Sequence, residues 1–245
     1  MFQLFHVIFY QPLYNALIWL YNIIPGHDLG IAIILLTILI RLLLYPLNSV
    51  SIKSQKALQD IQPKIKAIRE KFASNKEQQA KELLNLYREH KVNPFSSCLP
   101  LLIQFPFLIG LFLVFQSGIK GDSFKDLYSF VATPETLNHI SFGFLNIVQA
   151  SPVLAIIAGG LQFWQTRMLM HSNIPQPQSA GKDESMMASM NKQMMYLMPA
   201  MTVFIGWTFP SGLMLYWSFS TAFSIVQQYI VFQKRSREAN KQPVL

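Results

Sequence analysis

The residue with the most chemistry in the least hospitable place is Arg41, in the stretch TILIRLLLYPL spanning 37–47, where every close neighbour suits lipid. A guanidinium cannot shed its proton, and a charge at the centre of a membrane helix costs roughly 2.5–3.5 kcal/mol on insertion scales. Thr37 lies one turn before it and Tyr45 one turn after, so a hydroxyl, a cation and a phenol share one helical face. Two readings are open. Arg41 snorkels toward the cytoplasmic rim near Asn48, or it faces a wet cavity inside a bundle, where it attracts anionic groups.

Other apolar stretches contribute polar groups. Gln104 stands between Pro100 and Pro106, and Gln162, Gln165 and Thr166 close the run that begins at Pro152. Trp217, Thr221, Ser224 and Gln228 follow the i, i+4, i+7, i+11 spacing of a single helical stripe. Taken singly, each is packing glue between helices, worth about 0.6 kcal/mol. Taken with an arginine, the set reads as a polar groove.

No catalytic motif competes with this reading. The chain lacks H-E-x-x-H, G-x-S-x-G, a P-loop and a dinucleotide glycine pattern. His6, His27, His90, His139 and His171 have no metal-ligand spacing, and all 12 acidic residues fall outside the apolar windows. An intramembrane aspartyl protease and a carboxylate proton relay are thereby disfavoured. The expectation is a protein that is not an enzyme and uses no metal or cofactor.

The elements that must position these groups are membrane spans. Of 245 residues, 51% are hydrophobic and 13% charged, against about 25% charged in soluble domains. Apolar windows of spanning length occur at 31–47, 99–117, 152–170, 194–207 with its flanks, and 213–232. The expected fold class is an all-α polytopic membrane protein with five transmembrane helices, an N-terminal interfacial helix and a cytoplasmic helical hairpin. Its segments are an outer interfacial helix at 1–27, a first span at 28–50, a basic hairpin at 51–94, and a second span at 95–117. An extracytoplasmic loop at 118–150, a third span at 151–170 and a cytoplasmic loop at 171–191 follow. The fourth span at 192–208, an outer turn at 209–212, the fifth span at 213–232 and a cytoplasmic tail at 233–245 complete the chain.

Charge sets the orientation. The net charge of +8 is not spread evenly: the loop 51–94 holds ten Lys/Arg, 167–192 three and the tail four, whereas 118–150 holds Lys120 and Lys125. The positive-inside rule places the N-terminus outside and the C-terminus in the cytoplasm of a bacterial plasma membrane. Basic residues sorted by side in this way argue against a specific nucleic-acid partner. Cys98 stands alone, with no disulfide partner. The start MFQLFHVIFYQ lacks the basic region and cleavage site of a signal peptide.

Finer features follow from periodicity. Gln11, Asn15 and Asn22 make a polar stripe near the N-terminus, suiting a helix in the outer interface; a buried signal-anchor is the alternative. In the hairpin, Ile61, Ile65, Ile68 and Phe72 form one face, and Ala80, Leu83, Leu84 and Tyr87 form the face of a second helix. Between them Ser74 and Glu77 have capping-box spacing. The outer loop suggests short interfacial helices. Seven of the 11 methionines fall between 186 and 201, either filling packing gaps or offering a soft contact surface. Ala155 and Gly159, four apart, read as a close helix contact.

Three stretches carry a resemblance: GIAIILLTILIRLLLYPLNSVSIKSQKALQDIQPKIKAIREKF, NPFSSCLPLLIQFPFLIGLF and FPSGLMLYWSFSTAFSIVQQYI. In these, and in the order of its spans, the chain resembles the YidC/Oxa/Alb membrane protein insertases, in a short bacterial form without a large extracytoplasmic domain. The resemblance implies insertion and chaperoning of integral membrane proteins through a polar groove open to the cytoplasm and to lipid. Arg41 corresponds to the family's groove arginine, Tyr216 or Trp217 to the aromatic of its last span, and 51–93 to its basic hairpin. The implied partners are nascent membrane proteins, the Sec translocon, the ribosome and the bilayer, with no small-molecule substrate. Lys64, Lys66, Arg69 and Lys71 are the implied recruiting residues of the hairpin. The tail after Phe232 is shorter than in members that dock the ribosome through it. Two other classes fit the bare residues: a solute transporter with Arg41 as anion site, disfavoured by the lack of duplicated halves, and a structural assembly factor without insertase activity.

Overall fold

Pro46 governs the first apolar stretch. A proline lacks an N–H and disfavours helical geometry in the residue before it. Helix α3 (Leu29–Leu43) ends just ahead of it, and α4 (Tyr45–Asp60) starts anew with Pro46 in its first turn. The segment expected as one span at 28–50 is therefore two helices broken at Leu44. The computed structural model describes residues 2–93, 99–119, 124–170 and 182–241. Cys98, residues 171–181 and the side chains of Met186, Met187, Met190 and Met194 lie outside that description.

The chain is mostly helical. Ahead of α3 come the short α1 (Phe2–Phe5), a π-helical turn (His6–Tyr10) and α2 (Gln11–Ile23). After α4 follow α5 (Gln62–Lys71), α6 (Lys76–Glu89) and α7 (Leu99–Leu113), the last continued by a π-helical turn (Val114–Gly118). Three longer helices complete the chain: α8 (Pro152–Met170), α9 (Lys182–Gly206) and α10 (Ser211–Lys241). Among the described residues no single helix is long and apolar enough to cross a membrane. Leu29–Leu43 and Tyr45–Asp60 reach that measure together, and the apolar runs Leu102–Gln116 and Met195–Gly206 are shorter.

The loop at 118–150 departs from the expectation of short helices. Its described part holds a 3₁₀ turn (Phe124–Asp126) and an antiparallel ribbon of β1 (Ile140–Ser141) with β2 (Leu145–Asn146). The turn between the strands places Phe142 at φ +55° and Gly143 at φ +79°, and Phe144 N–H donates to the Ser141 carbonyl at 3.2 Å. Two consecutive left-handed residues reverse the chain within a few residues, which a helix cannot do.

The chain divides into two compact units. The first comprises Met1–Tyr45, Leu101–Gln162 and Pro199–Phe223. Its core joins Tyr14, Leu17 and Ile18 of α2, Ala32, Ile33 and Leu36 of α3, Leu111 of α7, Phe115 beyond it, and Leu213 of α10. The polar stripe of α2 does not face water. Asn15 is buried, donating to the carbonyls of Gln11 (2.8 Å) and Asp126 (2.9 Å) and accepting from Tyr128 N–H at 2.6 Å. Gln11 and Asn22 likewise donate to the carbonyls of Asp126 and Ala132. The stripe thus pins residues 126–132 to α2. Helices α8 and α9 approach closely at small residues, as the spacing of Ala155 and Gly159 suggests: a Cβ on Gly206 would lie 2.7 Å from the Ala155 Cβ, and one on Gly159 would strike Val203.

The second unit comprises Pro46–Pro100, Phe163–Met198 and Ser224–Leu245. Here α5 and α6 form the expected hairpin around Ile61, Ile65, Leu86 and Val92. Two details correct the sequence reading. The cap of α6 is Asn75, whose side chain accepts from Gln78 N–H at 3.1 Å, not Ser74. The buried leucine is Leu86, whereas Leu84 and Ala80 are exposed. The inner face of α6 runs through Gln79, Leu83, Leu86 and Tyr87, and Gln79 donates to the Arg69 carbonyl at 2.9 Å. Elsewhere in this unit Gln227 of α10 donates to Ser49 of α4 at 2.9 Å.

Candidate functional site

The geometry around Arg41 lies wholly within the first unit. Arg41 sits two residues from the end of α3, partly buried, with apolar residues on either side. Its Nε donates to the Ser220 hydroxyl of α10 at 2.7 Å, and its Nη2 donates to the same oxygen. One turn earlier on α10, Tyr216 is 2% exposed and hydrogen-bonded to Ser220. The Tyr216 hydroxyl also accepts from Gln104 Nε2 of α7. A continuous polar path, Gln104–Tyr216–Ser220–Arg41, therefore crosses three helices through an apolar core.

The charge at the end of that path is not neutralised. Among the described residues no carboxylate pairs with Arg41, and the ion pairs are His6–Asp126, Lys56–Asp60 and Lys66–Glu70. A guanidinium offers five N–H donors, of which Ser220 engages those on Nε and Nη2. The remaining capacity suits water or an acidic group, and a partly buried cation attracts such groups more strongly than one in bulk solvent.

The structure sorts the expected residues. Gln104 and Tyr216 join Arg41 directly. Thr37 is buried, but its hydroxyl donates to the Ile33 carbonyl of its own helix at 2.6 Å, so it adds nothing polar to the path. Tyr45 follows the break at Leu44 and opens α4. Trp217 packs on the apolar core, and Thr221 and Ser224 are buried along α10. Gln162 accepts from Thr202, linking α8 to α9. Gln165 is partly buried on α8, and Gln228 is buried with its carbonyl oxygen unpaired.

Sequence reasoning missed Ser220 and Thr202. The stripe written from Trp217 through Thr221 has a neighbour one residue earlier, where Tyr216, Ser220 and Gln227 stand at i, i+4 and i+11 with Phe223 in the third place. Both lines carry polar groups, so periodicity alone could not choose. The signal that points to the second line is the phenol at its head, which needs a partner once buried.

On the hairpin, Lys64 Nζ lies 2.9 Å from His90 Nε2, Lys66 pairs with Glu70 at 3.6 Å, and Lys71 stands over the Phe72 ring at 5.3 Å. The basic face is partly engaged with its own hairpin.

Comparison with known proteins agrees with the resemblance. Residues 19–239 match the 60Kd inner membrane protein family. A protein named membrane protein insertase YidC from Fusobacterium nucleatum subsp. nucleatum is 35% identical over 207 residues, covering 84% of this chain and 87% of that protein. One of the same name from Syntrophobacter fumaroxidans is 34% identical over 224 residues, 90% of this chain and 37% of that protein. Another, from Leptospira interrogans serovar Lai, is 33% identical over 241 residues, 94% of this chain and 35% of that protein. The chain thus spans nearly all of the first relative but little more than a third of the other two. With a match of this extent, and with relatives that carry that name, the chain belongs to the 60Kd inner membrane protein family, that of the YidC membrane protein insertases.

Proposed function

We propose that this chain inserts integral membrane proteins and helps them fold, through a polar groove centred on Arg41, alone or with the Sec translocon. The observation that carries the reading is the company of the arginine: one serine hydroxyl, no carboxylate among the described residues, and a polar path through Tyr216 to Gln104. A cation held this way retains water within an apolar wall. A client's hydrophilic outer segment then crosses a shorter unsolvated distance. An acidic segment is attracted by the guanidinium, and an inside-negative potential favours its outward passage by about 2.3 kcal/mol per charge per 100 mV. The client's apolar helix moves into lipid, and hydrophobic transfer supplies the driving force without a nucleotide, metal or cofactor.

In this reading the chain has five spans, with the N-terminus outside and the C-terminus in the cytoplasm. Tyr45, Gln162, Trp217 and Thr221 line or support the groove beside Thr37, and Ser220 joins the set. Lys64, Lys66, Arg69 and Lys71 of the hairpin meet the recruiting partners, the translocon and the ribosome.

The test is reconstitution of the purified chain in vesicles with a single-span client bearing an acidic outer segment, scored by protease protection of the translocated part. The expected result is insertion by the unaltered chain and at least a tenfold loss for Arg41→Ala, with a smaller loss when the client's outer segment is neutral. Equal insertion by both proteins would overturn the charge-based mechanism.

A further inference from the structure

The β1–β2 ribbon ends in an exposed aromatic tip. Phe144 is 82% exposed, Phe142 is 40% exposed, and their rings lie 6.4 Å apart. The backbone that presents them is held firmly. Phe142 N–H donates to Asp28 Oδ2 at 2.7 Å, and Gly30 N–H donates to Ser141 Oγ at 2.7 Å. A Cβ on Gly30 would lie 2.8 Å from the Phe142 ring. The ribbon is therefore bolted to the first turn of α3. Phe142 sits at positive φ, which is costly for a bulky residue, and those contacts hold it there.

What lies beside the tip identifies its occupant. Along α3 the exposed residues are Ile31, Leu35, Ile38, Leu39, Leu42 and Leu43, one continuous apolar face in a chain of an inner membrane protein family. The tip meets the start of this helix at Gly30. Trp207, the residue after α9, is 54% exposed. Close by in the chain, Ala150 bridges Pro210 and Ser211 N–H donates to the Gln149 carbonyl at 2.8 Å. Residues 136–166 contain no Asp, Glu, Lys or Arg. The one carboxylate at the tip, Asp28, accepts from the N–H groups of Phe142, Gly30 and Ile31. A protein partner is met at a rim of charged and hydrogen-bonding side chains, whereas aromatic rings beside backbone polar groups suit the headgroup boundary of a bilayer.

We infer that the Phe142–Phe144 tip is a lipid-interface anchor that seats the α3 start in the adjoining leaflet. This does not depend on the groove reading of Arg41, and it requires no anionic lipid.

The experiment places a nitroxide at the tip (Cys98→Ser with Phe144→Cys) and, as an aqueous reference, at exposed Glu135 (Cys98→Ser with Glu135→Cys). The full chain is reconstituted in phosphatidylcholine vesicles and in 3:1 phosphatidylethanolamine:phosphatidylglycerol vesicles, after each variant elutes as a monodisperse species with unaltered helical circular dichroism. Paramagnetic collision rates are then measured with oxygen and with a water-soluble nickel chelate. The expected result is at least a threefold higher oxygen-to-nickel ratio at 144 than at 135, the same in both lipids. A ratio at 144 equal to that at 135 overturns the inference and leaves the tip to a protein partner; a raised ratio only with phosphatidylglycerol overturns its charge-independent form. Should the cysteine variant misfold, Phe144→Trp quenched by brominated acyl chains reads the same depth. No quenching above that of a Phe130→Trp control counts against the anchor.

Discussion

Ser220 accepts hydrogen bonds from two nitrogens of Arg41 at once, Nε at 2.7 Å and Nη2 beside it. Its hydroxyl is also bonded to Tyr216, so one small side chain connects the cation to a buried phenol.

Removing that oxygen strands the guanidinium. Ser220→Ala is expected to destabilise the chain by about 1.5–3 kcal/mol, the range for hydrogen bonds to charged groups. Ser220→Thr keeps the hydroxyl and recovers most of the loss. Denaturation in detergent micelles, with Arg41→Ala and the double variant completing the cycle, measures the coupling. Additive losses would mean the two residues act independently.

Asn15 ties the segment at Asp126 and Tyr128 to α2 through two hydrogen bonds and makes a third to Gln11 of its own helix. Asn15→Leu leaves the Tyr128 amide and the Asp126 carbonyl without that partner, at an expected cost of about 1–3 kcal/mol. Amide exchange across 124–138 should accelerate, while exchange in the hairpin α5–α6 stays unchanged.

The α8–α9 contact has no room for a side chain at Gly206, where Ala155 and the Met214 sulfur each lie 2.7 Å from a built Cβ. Gly206→Val should lower stability by about 1–3 kcal/mol through overpacking. Gly160, with nothing within 4 Å of such a Cβ, is the matched control, and Gly160→Ala should leave the melting temperature within a degree or two or raise it.

The corrected cap separates two neighbouring residues. Asn75→Ala should cost about 1 kcal/mol, whereas Ser74→Ala should stay within about 0.5 kcal/mol, because only the first removes an acceptor for a helix N–H. Amide exchange at Gln78 reads the difference. A larger effect at Ser74 would restore the capping-box reading.

What was legible in the sequence depended on how strongly each residue was constrained. Arg41 declared itself because a permanent cation has no neutral form in which to hide, and Gln104 because an amide among prolines and leucines needs a partner. The hairpin was legible because Ile61 and Ile65 repeat at helical spacing; its second half slipped because Leu83, Leu84 and Leu86 offer three leucines within four positions, and packing against Ile61, Ile65 and Val92, not spacing, decides which faces inward. Ser220 was hidden by a polar neighbour, Thr221, on the adjoining line of the same helix. The β1–β2 ribbon was illegible for a simpler reason: strands of two residues are too short to show alternation, and the signal lies in the Phe142–Gly143 turn alone.

Apart from its arginine, α3 is nearly featureless around its circumference: exposed Leu35 and Leu39 and buried Leu36 and Ile40 would tolerate exchange of places. Rotating such a cylinder by one residue, about 100°, would cost little in transfer energy alone. The Arg41–Ser220 bond at one end of the helix and the Gly30 contact with the ribbon at the other remove that freedom, since only one azimuth satisfies both. The side chain that is costly to place among aliphatic neighbours thus helps give the helix a single phase, converting a slippery rod into an indexed one.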